Sequence, residues 1–390
     1  MFLDKPNKLN VYAQPTNIIA VSTSPFDKFP LERYRQTIDN YHYLGLRNLR
    51  ALDLGKAYMA SVFTALVISA FKKQWAGEKI SDVLNYLGYE GVLEGRYHLE
   101  ISPNKMRGVL ESNNPIEKFI EEFLIDTNRL ARRVSRRYFL DGDDISQQKV
   151  KDFLYFYKNI ISRFDKPRVN IYISSDGVES KELTYLRDEF EVLVNSGVMK
   201  LRDILMHKKE TKAPFMISDA SSGEQSVVMS ILGIASKIED GSLICIDEPE
   251  VCLHPQWQEK YIELLISTFK EFKSCQFIIA THSPLIVSKL DDNNCFLMSM
   301  EDGELKPASD INNRSVDFQL ANTFKTPGFK NEFLTRVLIS HLASYSETGS
   351  LSDEAIIEIK SILELRDFVS DADPVKKLMA MIEEVIEEVC

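Results

Sequence analysis

The 390-residue sequence is poor in the features that anchor a chain to an oxidising or lipid environment. Its five cysteines (Cys245, Cys252, Cys275, Cys295 and Cys390) are scattered, odd in number and without a CxxC pair, which excludes a disulfide framework and a cysteine zinc site and fits a reducing cytoplasm. No long hydrophobic run is present. The most apolar stretch, residues 57–71, is bounded by Lys56 and Lys72-Lys73 and falls short of the ~20 apolar residues a bilayer needs, so it reads as a buried helix and no membrane partner is expected. Residues 1–10 mix Asp4, Lys5 and Lys8 with Pro6 and lack the apolar core of a signal peptide. Internal repeats, low-complexity tracts and sustained heptads are absent. A basic excess is absent too: 47 basic against 58 acidic side chains give a formal charge of −11, which excludes an all-over nucleic-acid coat but not a local basic patch.

What is present belongs to a core-forming protein. With 44% hydrophobic and 10% aromatic residues, the chain is rich enough in apolar side chains to bury a core, and its length allows two or three domains. Residues 17–22 (NIIAVS) form an apolar, β-branched run that predicts a buried strand leading into a Ser24-Pro25-Phe26-Asp27 loop. The pattern over residues 46–164 is mostly helical, residues 169–174 alternate like a strand, and residues 182–205 read as helix again. Beyond residue 215 strands and helices alternate: a helix to Ile238, a strand at 243–246, a helix at 255–272 and a strand at 277–280. That is the βαβ rhythm of a parallel sheet. A strand at 295–300, a polar stretch at 301–314 and helices to the end complete the pattern. In the last helix Asp373-Pro374 is a cap signal, and Val375, Leu378, Ile382, Val385 and Val389 step by three and four.

Four segments carry chemistry, and their order matters more than any one of them. Leu243-Ile244-Cys245-Ile246-Asp247-Glu248-Pro249 is a buried strand that delivers two adjacent carboxylates to its carboxyl end, where α/β sheets bind ligands. The first acid suits Mg²⁺, a hard ion that takes oxygen ligands; the second can orient and deprotonate an attacking water. Upstream, Ser221-Ser222-Gly223-Glu224-Gln225 stands at a helix start, where exposed N–H groups and a small hydroxyl make an anion site; an ordinary N-cap has the same composition. Downstream come Glu250-Val251-Cys252-Leu253-His254-Pro255 and a second apolar strand closed by Thr281-His282-Ser283-Pro284. A histidine there can bond a phosphate oxygen or the attacking water.

Together these segments, over residues 221–284, resemble the carboxyl-terminal half of an ABC-type ATPase head, a P-loop NTPase-like α/β fold found in SMC, RecF and overcoming-lysogenization-defect proteins. The resemblance implies ATP and Mg²⁺ as cofactors. It makes Ser221, Ser222, Gly223 and Gln225 signature residues completing a partner's nucleotide site, Asp247 the Walker B acid that holds Mg²⁺, Glu248 the catalytic base and His282 the γ-phosphate sensor; Asp27 would lie near the Q-loop. It divides the chain into a remnant of the N-terminal lobe (residues 1–45), a mainly helical insertion (46–210), the ABC core (211–300) and a helical C-terminal region (301–390). Homodimers or higher homo-oligomers would form around sandwiched ATP. Arg314-Ser315-Val316-Asp317 and Asn331-Glu332 are similar to PtuA-like ATPases of Septu and retron antiphage systems, which implies a separate HNH-type nuclease as partner. A DNA-repair ATPase of RecF/SMC type and a non-hydrolysing scaffold are the alternatives.

Two features depart from that family or add to it. The sequence contains no GxxxxGK[ST] loop, and Gly55-Lys56-Ala57 sits in an apolar helical pattern instead of after a strand. A truncated form of a longer ATPase is therefore expected, and weak ATP binding with it; a natural protein that uses the signature and Walker B elements without its own P-loop is the alternative. Arg129, Arg132, Arg133, Arg136 and Arg137 are spaced to share one helical face, a candidate contact for DNA or RNA, although such runs also serve as solvated faces.

Overall fold

The computed structural model describes residues 14–24, 26–31, 40–45, 47, 54–72, 74–125, 134–163, 168–251, 253–300 and 303–389. Two compact units emerge: Met1–Cys252 with Thr268–Ala280, and Leu253–Ser267 with Thr281–Cys390. This differs from the expected borders after residues 45, 210 and 300, because the first two strands share a sheet with the Walker B-like strand and the cut falls at residues 253 and 281 instead.

In the first unit β1 (Ile18–Ser22) pairs in parallel with β2 (Tyr41–Gly45). Ile19, Ala20 and Val21 are buried, as expected for a strand covered on both faces of a parallel sheet. Helices α1 (Leu54–Lys72) and α2 (Gln74–Tyr86) follow, and α1 carries the most apolar stretch of the sequence with Val62, Phe63, Leu66 and Val67 fully buried. Among the described residues no helix is long and apolar enough to cross a membrane.

The region expected to be mainly helical proves to be mixed. β3 (Leu93–Leu99) is followed by α3 (Pro103–Leu110), α4 (Pro115–Phe119), a small hairpin of β4 (Leu140–Asp141) and β5 (Asp144–Ile145), and α5 (Gln147–Ile161). β6 (Arg168–Ser174), β7 (Gly177–Glu179), α6 (Leu186–Asn195), β8 (Met199–His207) and β9 (Pro214–Met216) come next. Five of these strands form an antiparallel sheet in the order β7-β6-β3-β8-β9. The helix expected over residues 182–205 is thus only α6, and β8 follows it. The reason is physical: β8 buries the contiguous run Ile204, Leu205 and Met206, and a short apolar run does not distinguish helix from buried strand by period. β3 alternates properly, but its Gly95 reads as a break. The structure uses that glycine for close approach, since a Cβ there would collide with the ring of Phe63 on α1.

α7 (Ser222–Ala235) leads into β10 (Leu243–Asp247), then α8 (Pro255–Phe269) and β11 (Gln276–Ala280). These complete a four-stranded parallel sheet, β11-β10-β1-β2. Phe269 at the end of α8 stacks on Phe277 of β11 with ring centroids 5.9 Å apart.

The second unit holds α9 (Pro284–Val287), a hairpin of β12 (Phe296–Met298) and β13 (Leu305–Pro307), and helices α10 (Val316–Phe318), α11 (Glu332–Thr348), α12 (Asp353–Leu363) and α13 (Pro374–Val389). Its core joins Leu334 and Leu338 of α11, Ile359 and Ile362 of α12, and Val375, Met379 and Ile382 of α13. The apolar stripe of the last helix therefore packs within its own unit. Asp373 caps that helix, one oxygen accepting the Val375 N–H at 2.9 Å and the other the Lys330 N–H at 2.7 Å.

Candidate nucleotide-hydrolysis site

β10 lies between β1 and β11, and its last residue, Asp247, is registered against Ser22 on one side and Ala280 on the other. Half-buried Asp247 and Glu248 thus stand at the carboxyl edge of the parallel sheet, the edge at which open α/β sheets meet ligands. Glu248 leaves the strand with φ of 46°, a left-handed conformation uncommon for a residue with a Cβ. Its N–H donates to the Ala280 carbonyl at 2.9 Å and its carbonyl accepts the Val251 N–H at 3.1 Å. Both backbone bonds stabilise a turn that takes the second carboxylate out of the pleat.

One residue beyond Ser22, the buried hydroxyl oxygen of Thr23 has no hydrogen-bond partner. No local pattern points to it, because only the register brings the end of β1 beside Asp247. Two half-buried carboxylates and an orphaned hydroxyl fit a hydrated divalent cation. Among the described residues no ready-made group of three or more His, Cys, Asp or Glu ligands exists, so such an ion would depend on water and a bound phosphate for its remaining positions. Asp27 serves another purpose. It is buried, accepts the Tyr43 hydroxyl at 2.6 Å and the Phe29 N–H at 3.0 Å, and pins the loop after β1 to β2. Burial, reinforced by that bond to Asp27, holds the Tyr43 phenol well above its usual range.

The signature-like segment is presented at the amino end of α7. Ser221 is its N-cap: the hydroxyl accepts the Glu224 N–H at 3.3 Å while a Glu224 carboxylate oxygen accepts the Ser221 N–H at 3.1 Å, a reciprocal capping box. Gln225 donates to the Ala220 carbonyl at 3.1 Å. Gly223 is buried, whereas Ser221 and Ser222 are exposed. The ordinary N-cap reading therefore holds for Ser221, and Ser222 stands exposed in the first turn, where the helix dipole favours an anion.

In the second unit the segments after the two apolar strands are tied together. Gln258 of α8 donates to the Leu253 carbonyl at 3.0 Å and accepts the Ser283 hydroxyl at 2.7 Å, linking the start of α8 to the turn that contains exposed His282. Sequence reading missed Gln258, which carries no motif. The Ser315-Asp317 and Asn331-Glu332 segments are likewise brought together: the Glu332 N–H donates to the Asp317 carboxylate at 2.7 Å and the Asn331 amide to the Asp317 carbonyl at 3.0 Å.

The five-arginine segment is described only in its last part. Arg129, Arg132 and Arg133 lie outside the described residues. Arg136 and Arg137 are exposed, but they open a 3-10 turn (Arg136–Phe139) after an extended Ser135 with φ −80° and ψ 91°. An α-helical face running from Arg129 through Arg137 is therefore broken at Ser135, where the Ser135 N–H bonds the Ser196 carbonyl at 2.7 Å in place of a helical partner.

Comparison with known proteins agrees with this arrangement. The family described as "AAA domain, putative AbiEii toxin, Type IV TA system" matches residues 96–288. The "Retron Ec83 probable ATPase" of Escherichia coli is 30% identical over 149 residues, 34% of this chain and 26% of that protein. The "Retron Vc95 probable ATPase" of Vibrio cholerae serotype O1 biovar El Tor is 27% identical over 108 residues, 25% of this chain and 20% of that protein. The chain thus spans about a quarter or less of the length of these relatives. The matched stretch, residues 96–288, contains β10, β11 and the segments with Ser221–Gln225, Asp247, Glu248 and His282.

Proposed function

We propose that this chain is an ABC-type ATPase subunit of an antiphage defence system, in which paired heads close around ATP and control a separate HNH-type nuclease. The observation that carries the reading is the delivery of Asp247 and Glu248 to the carboxyl edge of the parallel sheet by β10, in a chain similar to two retron ATPases. Asp247, with Thr23 beside it, would hold Mg²⁺, which supplies charge neutralisation on the phosphates when bound. Glu248 accepts the proton of the attacking water, its left-handed backbone turning the carboxylate away from the sheet. His282 donates to a phosphate oxygen. Ser222, exposed at the start of α7, offers its hydroxyl and the helix N–H groups to the nucleotide of a second copy.

The 390 residues contain no GxxxxGK[ST] phosphate-cradling loop. Among the described residues β11 has a strand on one side only, and its Ile278 is 50% exposed, although a parallel sheet ordinarily covers both faces. A titration of the 390-residue chain with fluorescent ATP should find no binding in the micromolar range. Micromolar affinity would show that these residues bind nucleotide without such a loop.

A further inference from the structure

Away from the carboxylate edge, α5 and α6 present an aromatic surface that the ATPase reading does not use. α5 buries Val150, Phe153, Leu154, Tyr157, Ile160 and Ile161 on one face. On the opposite face Tyr155 is 52% exposed, and Tyr185, the residue before α6, is 50% exposed. Their ring centroids are 6.3 Å apart at an interplanar angle of 36°. Phe156 lies against both, 5.4 Å from Tyr155 and 6.4 Å from Tyr185. Three rings in mutual contact, two of them half in water, form a larger apolar surface than isolated exposed residues require.

Exposed cations flank the rings. Lys151 and Lys158 stand four residues before and three after Tyr155 on α5, one turn either side of it, and both are exposed. Arg163 is exposed just past the end of the helix. The neighbouring acids are engaged or turned inward. Asp152 accepts the Gln148 amide at 2.7 Å, and Glu191 accepts Arg187 at 3.2 Å. Glu189 is buried beneath Tyr185, its carboxylate accepting the Thr184 and Tyr185 N–H groups at 2.6 and 3.2 Å. Asp188 is the exposed acid that stays on this side.

We propose that this surface binds single-stranded nucleic acid, Tyr155 and Tyr185 stacking on two bases while Lys151, Lys158 and Arg163 take the flanking phosphates. Stacking is open to a single strand because its bases are free, whereas a duplex hides them; cations beside the rings can meet the backbone phosphates that flank stacked bases. The surface needs no nucleotide.

The test is fluorescence anisotropy of the 390-residue chain with a labelled 20-nucleotide oligothymidylate, the matching oligouridylate and a duplex. The proposal expects salt-sensitive binding of a single strand, with log affinity falling by roughly 0.7 per phosphate contact per unit of log salt, and weaker binding of the duplex. Replacing both tyrosines, Tyr155→Ala with Tyr185→Ala, should weaken binding at least tenfold, while Tyr155→Phe with Tyr185→Phe should leave it within about twofold because a phenyl ring still stacks. Lys151→Glu with Lys158→Glu should reduce both affinity and salt slope. Thermal melts of each variant separate lost binding from lost fold. Unchanged binding in the alanine pair, a duplex bound as tightly as the single strand, or no binding at low salt would overturn the proposal.

Discussion

Glu248 illustrates how one residue combines backbone and chemical roles. Its φ of 46° costs conformational energy, which the bonds to Ala280 and from Val251 offset, and such positions gather at functional sites. In the ATPase-competent assembly Glu248→Gln should lower turnover by about two orders of magnitude or more, as loss of a positioned base does, while ATP-dependent dimers persist in gel filtration. Normal turnover would remove Glu248 from the base role. Glu189 supports a second residue-level expectation. Burial, only partly countered by the Thr184 and Tyr185 N–H bonds, pushes its carboxyl above the usual range. The folded state therefore keeps this proton to higher pH than the unfolded state, and stability is lost as pH rises through the raised value. Glu189→Gln, permanently neutral and still able to accept both N–H groups, should melt higher than wild type at about pH 7, with the difference closing as pH falls toward the ordinary carboxylate value. A difference independent of pH would contradict this.

At the scale of elements, the capping box of α7 and the break at Ser135 show opposite outcomes of local signals. Ser221 and Glu224 are three residues apart, both in sequence and as reciprocal partners, so the start of α7 could be read directly. Ser221→Ala should lower stability by about 1 kcal/mol, seen as a lower melting temperature; a variant as stable as wild type would mean that the box contributes nothing in solution. The arginine spacing, in contrast, looked helical through residue 137, but Ser135 turns its N–H to Ser196. That partner lies about sixty residues away in the chain and leaves no local trace. β3 and β8 were hidden for a related reason: a central glycine serving contact with Phe63 and a contiguous apolar run both imitate other structures. β1, β10 and β11 were legible because their apolar runs are local, whereas β2 was not anticipated and the antiparallel sheet depends on pairs drawn from distant segments.

For the whole molecule, the charge is unevenly divided. Leu253–Ser267 and Thr281–Cys390 contain 22 acidic and 11 basic side chains, while Met1–Cys252 and Thr268–Ala280 contain 36 of each. The entire excess of −11 thus belongs to the second unit, and the first, which carries the carboxylate pair and the aromatic surface, is formally neutral. Total charge gave no hint of this, since potential follows the arrangement of charges and not their sum.

By itself the sequence determined the order of the ATPase segments, the strand that ends in Asp247 and Glu248, the cap of α7 and the buried α1, because each rests on residues within a few positions of one another. Only the tertiary structure decided that Ser22 and Thr23 stand beside that strand's end, that Asp27 braces β2, that Gln258 ties Leu253 to Ser283, and that Tyr155 meets Tyr185. Those neighbours are created when the strands pair and the helices pack, across separations that no local pattern in the chain encodes.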